Sequence, residues 1–86
     1  MLFIVHIPKK VERKLTLLPD SVIDKILPHL KILSGNPYPQ NSKKLHNRDG
    51  YRLRVGDYRI IYEVNWKEKI IFIQRIAHRQ DVYKGK

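Results

Sequence analysis

Cysteine is absent from the 86 residues. That excludes a disulfide scaffold, a thiolate zinc site and a thiol nucleophile. Long hydrophobic runs are missing too. The longest cover four or five residues, against the roughly 20 that cross a bilayer, so no membrane segment is expected. The opening MLFIVHIPKK lacks a basic lead and has too short an apolar stretch for a signal peptide, so a cytoplasmic protein is expected. There is no internal repeat, no glycine-rich phosphate loop and no nucleophile elbow. His6, His29, His46 and His78 show no metal-ligand spacing, so neither a metal nor another cofactor is expected. Acidic residues are scarce, with 8 Asp+Glu against 18 Lys+Arg and a net charge of +10.

The length allows one domain, residues 1–86. A chain this short buries only about 60% of its unfolded surface, so its core must be compact. At 42% hydrophobic residues it is too apolar to be wholly disordered. The charge is uneven: residues 1–42 carry six basic and three acidic side chains, net +3, and residues 43–86 carry twelve and five, net +7. Such a concentration suits a phosphate-bearing or acidic partner, with a solvated basic surface as the plainer reading.

Residues 2–7 alternate as a short strand with apolar side chains on both faces, which predicts cover on much of both. Pro8 ends it and fits the first position of a helix. Val11, Leu15 and Leu18 form one helical stripe, widened by Leu17. Asp20 or Ser21 fits the N-cap of a second helix, whose apolar positions are Val22, Ile23, Ile26, Leu27, Leu30 and Leu33. Pro28 should kink or split that helix, and Gly35-Asn36-Pro37 should stop it. Residues 38–48 read as an irregular basic segment. Strands are then expected over 51–55, 58–64 and 70–78. The order β-α-α-β-β-β is an α+β domain, a helical hairpin packed on a mainly antiparallel four-stranded sheet.

The informative stretch is GYRLRVGDYRIIYEV, residues 50–64. Gly56-Asp57 fits a two-residue type II′ hairpin loop. Val55 then opposes Tyr58, Arg54 opposes Arg59, and Arg52 opposes Ile61. Parity places Arg52, Arg54 and Arg59 on one face, and Leu53, Val55, Tyr58, Ile60 and Tyr62 on the core face. Like charges opposite each other repel. Such a face calls for an anion, and a phosphodiester matches the planar guanidinium fork. Glu63 has the right parity to form a surface ladder with these arginines instead. Placing Arg79 beside Arg59 requires Arg75 and Arg79 on the arginine face, with Phe72 and Ile76 on the core face.

His78-Arg79-Gln80-Asp81-Val82-Tyr83 gathers imidazole, guanidinium, carboxylate and phenol. His78 is the side chain best able to exchange a proton near neutral pH, or else a strand-end histidine bonded to backbone. Asp81 fits a final turn. Tyr83 can stack on a base or cover the core edge, and Trp66 fits a turn cover. Lys43, Lys44, His46 and Arg48 extend the positive surface as RNA contacts, with Arg75 beside them, or form a solvated loop.

Lys44-Leu45, then residues 51–62, then His78-Arg79-Gln80-Asp81-Val82-Tyr83 resemble the RelE branch of the RelE/ParE toxin superfamily, and the match runs nearly the whole chain. The pattern Arg54-x-Gly56-Asp57-Tyr58-Arg59-x-x-Tyr62 is characteristic of the superfamily. The ending points to RelE rather than to the gyrase-poisoning ParE branch. The resemblance implies a toxin of a type II toxin–antitoxin pair, a ribosome-dependent endoribonuclease that cleaves mRNA in the A site. Its implied chemistry is metal-free: the ribose 2′-OH attacks the adjacent phosphate, leaving a 2′,3′-cyclic phosphate and a 5′-OH. The family's basic pair falls on Arg52 and Arg54, its transition-state arginine on Arg59, a second arginine on Arg79 and its tyrosine on Tyr83.

Well-studied RelE enzymes carry lysines at the basic pair. An arginine does not deprotonate in a protein, so Arg52 and Arg54 cannot serve as base and would act electrostatically. The base then falls to His78, with Tyr83 and Glu63 behind it. The implied partners are the ribosome, mRNA and an acidic RelB-like antitoxin that wraps the helical hairpin and sheet edge, with operator DNA reached through that complex. Two alternatives are a non-catalytic ParE-like gyrase inhibitor and a basic module for DNA-bound autoregulation.

Overall fold

The computed structural model describes residues 2–46 and 48–81. Its elements run β1 (Ile4–His6), α1 (Lys9–Thr16), α2 (Asp20–Gly35), β2 (Ser42–Lys44), β3 (Tyr51–Val55), β4 (Tyr58–Asn65) and β5 (Ile70–His78). They build an α+β fold, two helices on one five-stranded sheet of order β1-β5-β4-β3-β2. Only the β1–β5 pair is parallel.

The fifth strand corrects the expected four. It arises inside the segment read as irregular, where Ser42, Lys43 and Lys44 pair with Leu53, Arg52 and Tyr51. None of the three is β-branched or aromatic, so composition gives no strand signal there. Adjacent backbone holds it in place: Ser42 Oγ donates to the Pro39 carbonyl at 2.7 Å, and Asn41 Nδ2 to the Arg54 carbonyl at 2.7 Å.

The helices cover one sheet face. Val11 and Leu15 of α1 and Ile26, Leu30 and Leu33 of α2 are buried against Leu53, Ile60, Tyr62, Ile71, Ile73 and Ile76. Leu18 packs at the margin, whereas Leu17, expected to widen the stripe, is 80% exposed in the α1 C-cap. Neither Asp20 nor Ser21 caps α2. Pro19 occupies the N-cap, and its carbonyl accepts from the Val22 and Ile23 amides. The helix continues through Pro28 without splitting. β1 is an edge strand rather than a covered one. Phe3 is buried under α2, but Leu2 and Ile4 are 76% and 68% exposed.

Tyr62 ties β4 to the chain leaving α2. Its ring is fully buried, and its hydroxyl donates to the Pro37 carbonyl at 2.7 Å. Burial chiefly pushes its pKa up to about 12, Tyr38 and Tyr51 add to the rise, and a hydrogen bond with Ser42 opposes it. No helix among the described residues is long and apolar enough to cross a membrane.

Candidate functional site

The β3–β4 hairpin turns at Gly56 and Asp57, with Gly56 at φ 58 and Asp57 outside the positive-φ region, as a type II′ turn requires. The register follows: Val55 opposes Tyr58, Arg54 opposes Arg59, and Arg52 opposes Ile61. Leu53, Val55, Ile60 and Tyr62 point into the core. Arg52, Arg54 and Arg59 therefore share the face turned away from the helices. β2 brings Lys43 opposite Arg52, and so onto the same face. Lys44 opposes Tyr51 and takes the other parity, and His46 and Arg48 follow as exposed residues.

Arg59 sits at the centre of this face. One of its terminal nitrogens donates to the carbonyls of Gly56 and Tyr58, each at 2.9 Å, so the guanidinium folds back over its own turn. Its pKa is depressed, first by desolvation, then by the charges of Arg54, Arg52 and Arg79, while Asp57 opposes the shift. Arg79 reaches the cluster beyond the end of β5. Its amide donates to the Asp57 carbonyl at 2.7 Å, and its side chain approaches the Asp57 carboxylate at 3.9 Å. That ion pair is exposed and adds little stability. It does orient Arg79 toward the turn that carries Arg59.

β5 holds the main surprise. Ile61 opposes Arg75 and Tyr62 opposes Ile73, so Gln74 is an extra residue in a bulge. On the hairpin side of the bulge, Arg75 and Ala77 lie on the arginine face and Ile76 in the core, as expected. Beyond it the parity inverts, so Phe72 opposes Glu63 on the arginine face instead of entering the core. Arg75 donates to the Asp81 carbonyl at 2.8 Å. Glu63 accepts from Gln74 at 2.7 Å, and Gln74 accepts from Arg48 at 2.8 Å, a relay through the bulge where an arginine–glutamate ladder was the alternative to an anion site. Ile61, Ala77 and Leu45 form a small apolar cluster in the middle of the face.

His78 is not brought to the arginines. It opposes Tyr58, which has the core-face parity, and its ring meets Tyr58 edge-on with centroids 5.4 Å apart. Its Nδ1 accepts from the Gln80 amide at 3.2 Å, which leaves the neutral ring's proton on Nε2. The alternation that puts Arg75 and Arg79 on one face already put His78 on the other. Glu63 has the correct face but lies four residues from Arg59, about 13 Å along the strand. Tyr83 falls outside the described residues.

Residues 4–83 match the family model of the ParE toxin of the type II toxin–antitoxin system parDE. A Methanocaldococcus jannaschii protein, named as a toxin candidate, RelE1, is 38% identical over 89 residues, covering 99% of each chain. The chain superposes on a toxin in the crystal structure of the archaeal RelE–RelB complex from Pyrococcus horikoshii with a TM-score of 0.83. The identity there is 38%, over 95% of this chain and 100% of that one. The RelB–RelE antitoxin–toxin complex from Methanococcus jannaschii gives a TM-score of 0.74 at 25% identity, over 93% and 96% of the two chains.

Proposed function

The chain belongs to the RelE/ParE superfamily of type II toxin–antitoxin toxins, and on that premise we propose that it is a ribosome-dependent endoribonuclease that cuts mRNA in the A site. The observation that carries this reading is the convergence of Arg52, Arg54 and Arg79 on Arg59, whose pKa is depressed first by desolvation and then by those three charges. A phosphate seated among these guanidinium groups offsets their mutual repulsion.

In the proposed reaction the ribose 2′-oxygen attacks the adjacent phosphorus. The O2′–P bond forms and the P–O5′ bond breaks, giving a 2′,3′-cyclic phosphate and a 5′-OH. The pentacoordinate phosphorane carries one more negative charge than the diester, and donors held in place for that charge lower the barrier. Arg59 and Arg79 are assigned to the phosphorane oxygens. Arg52 and Arg54 hold the flanking backbone and favour ionisation of the 2′-OH. Lys43, His46, Arg48 and Arg75 extend the track for the strand, whereas Lys44, on the other parity, lies outside it. With His78 on the other face and Glu63 too distant, we assign the 2′-OH proton to Tyr83 acting as its phenolate, and the departing 5′-oxygen takes its proton from solvent water. The ribosome supplies substrate alignment that a protein of this size cannot provide alone. Crystal structures of RelE–RelB complexes among its relatives support an antitoxin of the RelB kind as the partner that holds this toxin inactive. Operator DNA would be reached through that complex.

Primer extension on mRNA translated in a reconstituted system tests the reading. Ribosome-dependent cuts within A-site codons, bearing 5′-OH ends and absent from Arg59→Ala, are the expected result. Tyr83→Phe should slow cutting strongly and His78→Ala should not. The match to a model described as a ParE toxin favours one other reading, gyrase inhibition. Stalled supercoiling with no cuts from folded, antitoxin-free protein would decide for it.

A further inference from the structure

The bulge at Gln74 has a chemical consequence at the far end of the arginine face. It turns Phe72 toward Glu63, and beside that pair lies a shallow pocket of about 340 Å³ lined by Glu63, Val64, Asn65, Trp66 and Phe72. That volume falls within the range of small-ligand sites. Its walls are aromatic. Trp66 is held edge-on to Phe3 at 5.0 Å, its Nε1 donates to the Tyr38 hydroxyl at 2.6 Å, and the Lys69 ammonium lies 4.7 Å from its ring centre. Phe72 is held by an edge contact with His6 at 5.7 Å.

The polar groups of the pocket have defined roles. Asn65 Oδ1 accepts from the Glu68 amide at 2.9 Å, which assigns the oxygen to the turn and leaves the Asn65 NH2 group as a donor. Glu63 accepts from Gln74 through one oxygen, and each carboxylate oxygen has two acceptor positions. The pocket thus offers one donor group and one carboxylate between aromatic side chains. Guanine presents the matching edge: O6 accepts, and N1–H and N2–H donate beside it. Adenine and cytosine set a ring-nitrogen lone pair against the carboxylate, and uracil offers it one donor between two carbonyls. Single-stranded RNA is read in this manner, by stacking and by hydrogen bonds to the Watson–Crick edge.

We infer that this pocket reads a guanine base in the RNA strand held on the arginine face, with Glu63 accepting from N1–H and N2–H, Asn65 donating to O6, and Phe72 and Trp66 covering the base. The inference rests on the endoribonuclease reading for its substrate. Arg59, Ile61 and Glu63 alternate on one side of β4, so the pocket lies about 13 Å from Arg59. An extended strand covers that interval within a single codon.

Trp66 is the only tryptophan, so its fluorescence reports on the pocket without any cleavage. The probes are 2′-O-methyl RNA pentamers, which cannot be cut, identical except for one guanine or adenine. The guanine pentamer should bind about tenfold tighter, the usual scale for one base-specific pair of contacts. Glu63→Gln should bring the two affinities together. Asn65→Asp, which keeps the acceptor for the Glu68 amide and removes the donor, should do the same. Arg59→Ala should weaken both pentamers equally. Equal affinities in the unaltered protein, or an unchanged ratio in both pocket variants with normal circular dichroism, overturn the inference. Mapping cut positions on translated mRNA separates the two readings. Guanine-selective quenching without ribosome-dependent cuts supports the pocket and removes the nuclease. Cuts with no guanine preference at any position around the scissile bond, and none in the quenching, remove the pocket and leave the nuclease.

Discussion

Replacing Tyr62 with phenylalanine should produce a stability difference whose sign depends on pH. The substitution keeps the buried ring and removes only the hydroxyl that donates to Pro37 at 2.7 Å. The Pro37 carbonyl lies on a buried residue, and leaving such a group unpaired costs about 1–2 kcal/mol. At pH 7, Tyr62→Phe should therefore melt lower, by about 4–8 °C for each kcal/mol in a domain of this size. At alkaline pH the balance shifts. The folded-state pKa of Tyr62 is pushed up to about 12, above the unfolded value of about 10. A raised folded pKa gives stability that is fully present below pH 10 and is lost as the pH climbs through 12. Linkage puts the loss at about 1.4 kcal/mol by pH 11, because the unfolded chain releases its proton first. Phenylalanine has no proton to release. The two proteins should be nearly equal near pH 11, and the variant should be the more stable beyond it. Urea unfolding followed by Trp66 fluorescence at pH 7 and pH 11 measures both gaps. Other tyrosines and lysines titrate in both proteins and cancel in the difference. An undiminished gap at pH 11 would refute the argument.

Three more perturbations test the hairpin and the charge cluster. Gly50→Ala should destabilise more than Gly56→Ala: a Cβ at Gly50 would lie 2.9 Å from the Tyr62 carbonyl oxygen at φ 116, whereas nothing lies within 4 Å at Gly56. Gly56→Val should cost about 1–2 kcal/mol through the left-handed turn conformation alone, and Gly56→Asn clearly less, with thermal melts giving the order. Raising salt from about 20 to about 300 mM should stabilise the free protein by screening the arginines. The urea midpoint should shift less with salt in Arg54→Gln, and an identical shift would show that the cluster exerts no repulsion.

What the sequence made legible was whatever a local rule could fix. Gly56-Asp57 set the turn, the turn set the register, and the register sorted Arg52, Arg54 and Arg59 from Leu53, Val55 and Ile60. The helical stripes of Val11, Leu15, Ile26, Leu30 and Leu33 were visible for the same reason. The bulge was not, because residues 70–73 are apolar on both faces, so a one-residue slip leaves no trace in the pattern. Phe72 was consequently assigned to the wrong side. β2 escaped because its residues have no strand preference and are recruited by their neighbour. The exposure of Ile4 depends on β1 lying at the sheet edge, which is a property of topology and not of the segment. Asp20 was a reasonable cap by residue type, but Pro19, with φ fixed near the helical value, enters the turn one position earlier.

Under the proposed nuclease reading, the arginine pair changes what this face contributes to catalysis. A lysine at either position could in principle give up a proton, whereas an arginine keeps its charge at every accessible pH. With Arg52, Arg54, Arg59 and Arg79 all cationic, repulsion is present in the free protein. It is moderated by the Gly56 and Tyr58 carbonyls that hold Arg59 and by Asp57. A neutral carbonyl is a weaker partner for a guanidinium than an anion is. A phosphodiester relieves part of the repulsion, and the more highly charged phosphorane relieves more, so the benefit grows along the reaction coordinate, as rate acceleration requires. Arg59→Gln and Arg59→Lys separate this from simple binding. Lysine keeps the charge and loses the fork, so under the proposed nuclease reading it should retain much of the RNA affinity but lose turnover. Glutamine should lose both. If Arg59→Lys cut mRNA as fast as the unaltered protein, positioned bidentate contact with the phosphorane would not be what the cluster provides.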